Sequence, residues 1–315
     1  MTRATGTQAP APGFLLVDKP GGLTSHDVVA RVRRAFGTRK VGHAGTLDPM
    51  ATGLLVIGVE AATRLLTFVV GADKTYTATI RLGQSTTTDD ADGELVAQAA
   101  PDAMAGLGDE RIRAGIAALT GEISQVPSAV SAIKVDGRRA YDRVRAGEEV
   151  VLAARDVTVS RFDVLASREQ DGVLDLDVVV DCSSGTYIRA LARDLGGALG
   201  VGGHLTALRR TRVGPFDVAA ATGIDELAGA RLLPPAEAAA LVLGRLDVTE
   251  EEARDLRQGK RLAGQRSRIP GLLAAAIDPA GDLVGVVGPR GDDVKSTMNM
   301  PEPPRRPAAD EGERA

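Results

Sequence analysis

The 315-residue chain has no tryptophan, three tyrosines and five phenylalanines, so aromatic residues make up only 3% of it. A core must then be assembled mainly from alanine, valine and leucine, and each of Tyr76, Tyr141 and Tyr187 needs its own explanation. The single cysteine, Cys182, excludes an intramolecular disulfide. Three scattered histidines (His26, His43, His204) beside it give no usual zinc spacing, so no metal site is expected. This composition suits a reducing cytoplasm. No apolar run approaches the ~20 residues of a membrane span, and the opening MTRATGTQAPAPG has no apolar stretch of a secretory signal. A cytoplasmic protein with no membrane partner is expected. An excess of positive charge is missing too: 38 Lys+Arg face 42 Asp+Glu, a net charge of -4, which argues against gripping nucleic acid by bulk charge.

What is present is a globular composition, 43% hydrophobic and 25% charged, in a chain long enough for a large domain and a smaller one. Residues 1–12 and 296–315 are rich in Pro, Ala and charge and are expected to be disordered tails. Phe14–Val17 reads as a strand stopped by Pro20-Gly21-Gly22. Thr24 or Ser25 then caps a helix with an apolar stripe at Val28, Val29, Val32 and Phe36. The glycine-punctuated loop GHAGTLDPMATG, residues 42–53, feeds a buried strand at Leu54–Ile57. Tyr76, Ala78, Ile80 and Leu82 alternate with polar residues, as do Leu174, Leu176, Val178 and Val180, both at the period of a strand. Gly185 turns the chain into a helix carrying Ile188, Leu191 and Leu195. Strands separated irregularly by helices and loops predict an α+β fold. The stretch LLPPAEAAALVLGRLDV reads as a connection, with a domain boundary near Gly244 and a small β-rich module from about Leu246 to Asp293.

The net charge conceals segregation. Residues 31–40 carry +5, 131–146 carry +3, 204–212 carry +3 and 254–268 carry +5, whereas 85–110 hold seven acids and no base. A charge run is usually a solvated face, but four basic stretches apart from an acidic one also suit a polyanion-binding groove, since phosphate contacts need local positive charge. In the 42–53 loop, glycines permit close backbone approach and Pro49 holds Asp48 extended, which can present a carboxylate at a cleft. From these residues alone, an aspartate in a turn is the plainer reading.

The blocks Val17-Asp18-Lys19-Pro20, GHAGTLDPMATG, Asp73-Lys74-Thr75-Tyr76, Gln125-Val126-Pro127-Ser128 through Lys134, Gly185-Thr186-Tyr187-Ile188-Arg189 and Gly203-His204-Leu205-Thr206-Ala207-Leu208-Arg209-Arg210 occur in order over residues 13–216. Together they closely resemble the TruB family of tRNA pseudouridine synthases. The resemblance implies a pseudouridine synthase catalytic domain over 13–243 with a mixed, largely antiparallel sheet. A PUA-like RNA-binding module would follow over 244–295. The activity implied is isomerisation of uridine-55 in the TΨC arm of tRNA, without cofactor, guide RNA or obligate protein partner.

Residue by residue, Asp48 matches the family's catalytic aspartate, Arg189 the arginine that pairs with it, and Tyr76 the active-site tyrosine. Tyr187 and Leu208 match residues lining the uracil pocket, and His43 the residue that fills space vacated by a flipped nucleotide. Lys19, Arg64, Arg209 and Arg210 fall in matching or basic blocks as RNA contacts or support, while Tyr141 reads as helix packing and Cys182 as core. Three alternatives stay open: a synthase acting on another RNA, an RNA-binding or RNA-folding protein without catalysis, and a glycoside hydrolase, which would need a second carboxylate beside Asp48.

Overall fold

The computed structural model describes residues 10–128, 134–135, 138–139, 152–269 and 271–302. Tyr141 and most of the basic stretch 131–146 lie outside them. Leu15–Arg231 form one compact unit, and Pro12–Phe14 join the residues from Leu232 onward in a second.

The first unit is built on a mixed, mostly antiparallel sheet. Its central strands are β3 (Thr52–Val59), β4 (Lys74–Leu82), β11 (Val173–Cys182) and β12 (Gly203–Val213), in the order β3-β12-β4-β11. Strand β1 (Gly13–Lys19) lies outside β3, and the long β10 (Arg155–Gln170) and β7 (Gly121–Gln125) lie outside β11. The β3–β12 pair is parallel, while β12–β4, β4–β11 and β11–β10 are antiparallel. The period-2 reading of β4 holds along its length: Lys74, Tyr76, Ala78, Ile80 and Leu82 are buried and the residues between them are not. Tyr76 stands opposite Val180 on one side and Arg210 on the other.

Helix α1 (Ser25–Phe36) begins at a capping box, with Thr24 accepting from the Asp27 backbone and the Asp27 side chain returning to Thr24. It ends at left-handed Gly37. Helices α4 (Asp109–Ala118) and α5 (Ile188–Leu199) pack Ile112, Ile116, Leu191 and Leu195 on one face of the sheet against Ile80, Leu176, Val178 and Leu205. Where α5 crosses the start of β12, Gly196 is in backbone contact: a Cβ there would stand 2.1 Å from Gly202 C. Its neighbour Gly197 has nothing within 4 Å.

The second unit holds a five-stranded sheet, β15-β17-β18-β19-β16, spanning Arg245–Asp247, Ala274–Ile277, Leu283–Arg290, Asp293–Asn299 and Arg261–Leu262 in that order. The Asp278–Asp282 turn connects β17 to β18, as its composition predicts. Two expectations are corrected. The expected connection contains a helix, α6 (Pro235–Leu243), which belongs to the second unit ahead of the Gly244 boundary; proline is tolerated in a first helical turn, so Pro-Pro did not mark a loop. The expected tail from 296 continues strand β19 to Asn299, and Met300 is buried. Strand β19 pairs with β18 as a hairpin through the two-residue turn Gly291-Asp292, Gly291 taking a positive φ of 63°; the signal of the pairing is that turn, because the side chains of the strand are mostly polar.

Gly196→Ala is expected to lower unfolding free energy by about 2–3 kcal/mol through overpacking. Gly197→Ala, one residue on, should raise it by roughly 0.5–1 kcal/mol through helix propensity. Urea denaturation of the two variants checks the pair. Equal effects would mean that the α5–β12 approach is not as close as described.

Candidate active site

The loop between β2 (Val41–Ala44) and β3 is tied down from three directions. Ser25, buried at the start of α1, donates to Leu47 O (3.2 Å) and accepts from Leu47 N (2.9 Å). Lys19 is fully buried, and its ammonium reaches the carbonyls of Leu23 (2.7 Å), Pro20 (3.0 Å) and Pro49 (3.2 Å). The Arg210 guanidinium, also buried, donates to Leu54 O (2.8 Å), Gly45 O (3.1 Å) and Thr46 O (3.5 Å). Gly53 closes the loop at φ +97°, where a Cβ would stand 2.2 Å from Arg210 O; the β3–β12 approach therefore requires glycine.

Asp48 emerges from this frame with 34% of its side chain exposed, on the wall of a cavity of about 340 Å³. Tyr76, Tyr187, Arg189 and Leu208 line the same cavity, so the structure brings together five of the residues that the sequence singled out for catalysis or base binding. His43 does not line it. It sits on β2 with its ring against His26 of α1, centroids 5.7 Å apart at 81°, and its buried Nδ1 has no hydrogen-bond partner. Burial holds the His43 pKa down.

Arg189, 5% exposed at the first turn of α5, is the hub. Its Nη2 lies 3.1 Å from Asp48 Oδ2, its Nη1 lies 3.2 Å from Asp90 Oδ2, and Nη1 also donates to Thr88 O at 2.9 Å. Asp90 is itself 5% exposed and is further held by Thr88 Oγ1 (2.5 Å) and Asp92 N (3.1 Å). Burial pushes the Asp48 carboxyl above the usual aspartate range. Arg189 opposes that shift, Asp90 adds to it, and Lys19 acts with Arg189. The Tyr76 phenol, beside Arg210, is also pushed up by burial, as is that of Tyr187. Tyr187 is set by Gln125, whose amide accepts from Tyr187 N (2.8 Å) and donates to Tyr187 O (3.0 Å).

Of the residues expected as RNA contacts or support, two act as support in this structure. The three N–H donors of Lys19 meet three carbonyls inside the protein, and Arg210 is buried against the loop backbone, so neither presents charge to a phosphate. Both brace the Asp48 loop. Arg209 is half-exposed in a two-point pair with Asp18 (2.7 and 2.9 Å), and Arg64 is exposed.

Sequence reasoning missed Asp90, which it counted only within an acidic loop, and Ser25, Gln125 and Lys74. Lys74 lines the cavity and donates to Val70 O (2.7 Å) and Ala72 O (2.6 Å); burial lowers its pKa to about 8. Ser25 stood in plain view as a capping residue, but no local pattern reveals a partner 22 residues away. Among the described residues no group of His, Cys, Asp and Glu is arranged to hold a metal ion, and no helix is long and apolar enough to cross a membrane.

The raised carboxyl pKa carries a stability consequence. Above its unfolded pKa, near 3.8, ionised Asp48 costs the folded state free energy, and stability falls as pH rises through the folded value. Asp48→Asn is therefore expected to melt at a higher temperature than the parent at pH 7.5, with the gap closing below pH 4. A lower melting temperature at pH 7.5 would refute it.

Comparison with known proteins gives the family and the fold. Residues 33–188 match the family model of the TruB family pseudouridylate synthase N-terminal domain. Residues 189–244 match that of the tRNA pseudouridylate synthase B C-terminal domain, and 243–301 that of tRNA pseudouridine synthase II, C terminal. The chain is 61% identical over 291 residues to a tRNA pseudouridine synthase B of Leifsonia xyli subsp. xyli, covering 92% of this chain and 96% of that protein. It is also 61% identical over 269 residues to the protein of that name from Nocardia farcinica, covering 84% and 86%. Among solved structures, the fold is shared with an H/ACA RNP bound to a substrate RNA containing 2'-deoxyuridine. The TM-score is 0.67 at 24% identity, covering 92% of this chain and 85% of that one. A loop-borne aspartate held by a buried arginine is thus found in a chain whose family models run almost end to end and whose relatives are more than half identical, and the chain belongs to the TruB family of pseudouridylate synthases.

Proposed function

We propose that this chain isomerises uridine to pseudouridine in tRNA, that the target is uridine-55 of the TΨC arm, and that Asp48 is the nucleophile. The observation that carries the reading is the Asp48 carboxylate, set at the cavity by the braced loop and paired at 3.1 Å with Arg189 in a chain of this family. The name of the relatives, tRNA pseudouridine synthase B, supports tRNA as the substrate class. The position of the uridine rests on the sequence resemblance.

A uridine stacked inside a folded arm is out of reach of a carboxylate on a cavity wall. The nucleotide therefore leaves its stack, at a cost of a few kcal/mol, and enters with its base between Tyr76, Leu208 and Tyr187. Asp48 attacks C1′ as N1 departs with the bonding pair. The uracil turns within the cavity, C5 takes the bond to C1′ as the Asp48 ester breaks, and the proton lost from C5 is balanced by one gained at N1. Substrate and product are isomers, so the balance calls for no oxidant, reductant or water. The apolar side chains around the base keep water from C1′ while the bond is open.

Arg189 has two tasks in this scheme. It lowers the Asp48 pKa against burial, so that the nucleophile is ionised, and it aims the carboxylate. His43, Arg64 and Arg209 are read as contacts to the RNA around the flipped nucleotide, and the second unit as a PUA-like RNA-binding module. The chemistry needs neither guide RNA nor a protein partner.

The test is tritium release from unmodified tRNA labelled at uracil C5. Stoichiometric release from the TΨC-arm uridine is expected, with none from Asp48→Ala. Release from ribosomal RNA alone, or release surviving Asp48→Ala, would overturn the proposal. In the rate–pH profile, the acid limb should lie above the ordinary aspartate range and move to still higher pH in Arg189→Met, because the cation that lowers the pKa is gone. A limb that stays in place or moves down would contradict the role given to Arg189.

A further inference from the structure

Arg193 lies one helical turn after Arg189 on α5, so the two guanidiniums rise from one face of the helix. They meet adjacent residues of a single turn: Arg189 Nη1 pairs with Asp90 at 3.2 Å, and Arg193 Nη1 pairs with Asp89 at 3.3 Å. Asp89 occupies the left-handed region at φ +59°, a conformation that costs a non-glycine residue free energy and persists where the surroundings enforce it. Here Asp89 O accepts from Leu205 N on β12 (3.0 Å), while Arg193 holds the carboxylate. The other nitrogens of Arg193 are also occupied. Nη2 donates to Val126 O (2.7 Å), at the end of β7, and Nε to Asp194 Oδ1 (2.9 Å). Arg193 thereby ties the turn that presents Asp90 to the strand whose Gln125 clamps Tyr187.

From this arrangement we infer that Arg193 is a positioning residue for the reaction: through Asp89 it locks the 86–90 turn so that Asp90 meets Arg189, and Arg189 in turn aims Asp48. The inference rests on the proposed function. A surface ion pair at 3.3 Å contributes little by itself. Strain at the next residue, and a three-point attachment joining turn, helix and strand, make this one consequential.

The experiment measures single-turnover tritium release and tRNA binding for Arg193→Met, Asp89→Asn and their double variant; asparagine keeps the tolerance of Asp89 for positive φ. Each single variant is expected to slow turnover about 10-fold, with tRNA affinity unchanged within 2-fold and with native thermal unfolding. The double variant should be no slower than either single one, since both break one link. In the Arg193→Met background, Asp90→Asn should cost several-fold less than it costs alone, because Asp90 is already misplaced. Arg193→Lys, which keeps the charge but not the three-point fork, should recover only part of the rate. Unchanged turnover in Arg193→Met, or loss of tRNA affinity with turnover intact, or additive costs with Asp90→Asn, would each overturn the inference. If the parent chain releases no tritium at all, it is the proposed function that fails.

Discussion

A buried guanidinium governs the architecture of this site. Burying the Arg189 guanidinium to 5% exposure costs desolvation free energy, and the compensation comes from two loops about forty residues apart in the chain. One carries Asp48 between β2 and β3, and the other carries Asp90 in the turn after β5 (Gln84–Thr86). The two carboxylates are not equivalent. Asp90 is sealed and satisfied by the backbone and hydroxyl of its own turn, so it can balance the arginine permanently. Asp48 keeps a third of its surface open to the cavity and bears the cost of desolvation in its raised pKa. One acid is sealed against the cation, which leaves the other accessible from the cavity while still oriented by it.

The same division runs through the cations. Lys19, Arg189 and Arg210 are buried around the Asp48 loop, and they are internal fasteners, with backbone carbonyls and carboxylates consuming their donors. Of the four basic stretches, 204–212 is spent inside the protein or in ion pairs with Asp18 and Asp181. Within 254–268, Arg257, Lys260, Arg261 and Arg268 each face a carboxylate of their own unit. Residues 31–40 differ: Arg31, Arg33, Arg34, Arg39 and Lys40 are all exposed, on α1 and the turn after it, and among the described residues Lys40 alone of them forms a close ion pair, with Glu60, while Arg31 acts on Asp27 at longer range. Among the described residues of this unit the least compensated positive charge lies there, on the helix whose Ser25 anchors the Asp48 loop.

Much of the site was legible in the sequence, for physical reasons that differ by residue. The Asp48 loop announced itself through glycines, one of which, Gly53, answers a real backbone contact with β12. Tyr76 lay on the apolar side of a strict alternation, so its strand and its buried face followed from periodicity alone. The resemblance paired Arg189 with Asp48 across 141 positions, and the ion pair is present at 3.1 Å. Asp90 was invisible because its role exists only in relation to Arg189, and a carboxylate in an acidic stretch looks like any solvated one until the fold removes the solvent. Lys19 and Arg210 misled for the converse reason, since a basic residue in a basic block carries no mark of whether its charge will face water or a carbonyl.

What the amino-acid sequence determined by itself was whatever depends on neighbours along the chain. The alternation of β4, the capping box of α1 and the stiffened glycine loop that exposes Asp48 all belong to that class. Tertiary structure alone decided which charges are buried and with whom, and that α5 would bring Arg189 and Arg193 onto one turn. Propensity and periodicity act over a few residues, whereas desolvation and ion pairing depend on distances that exist only once distant segments have been packed together.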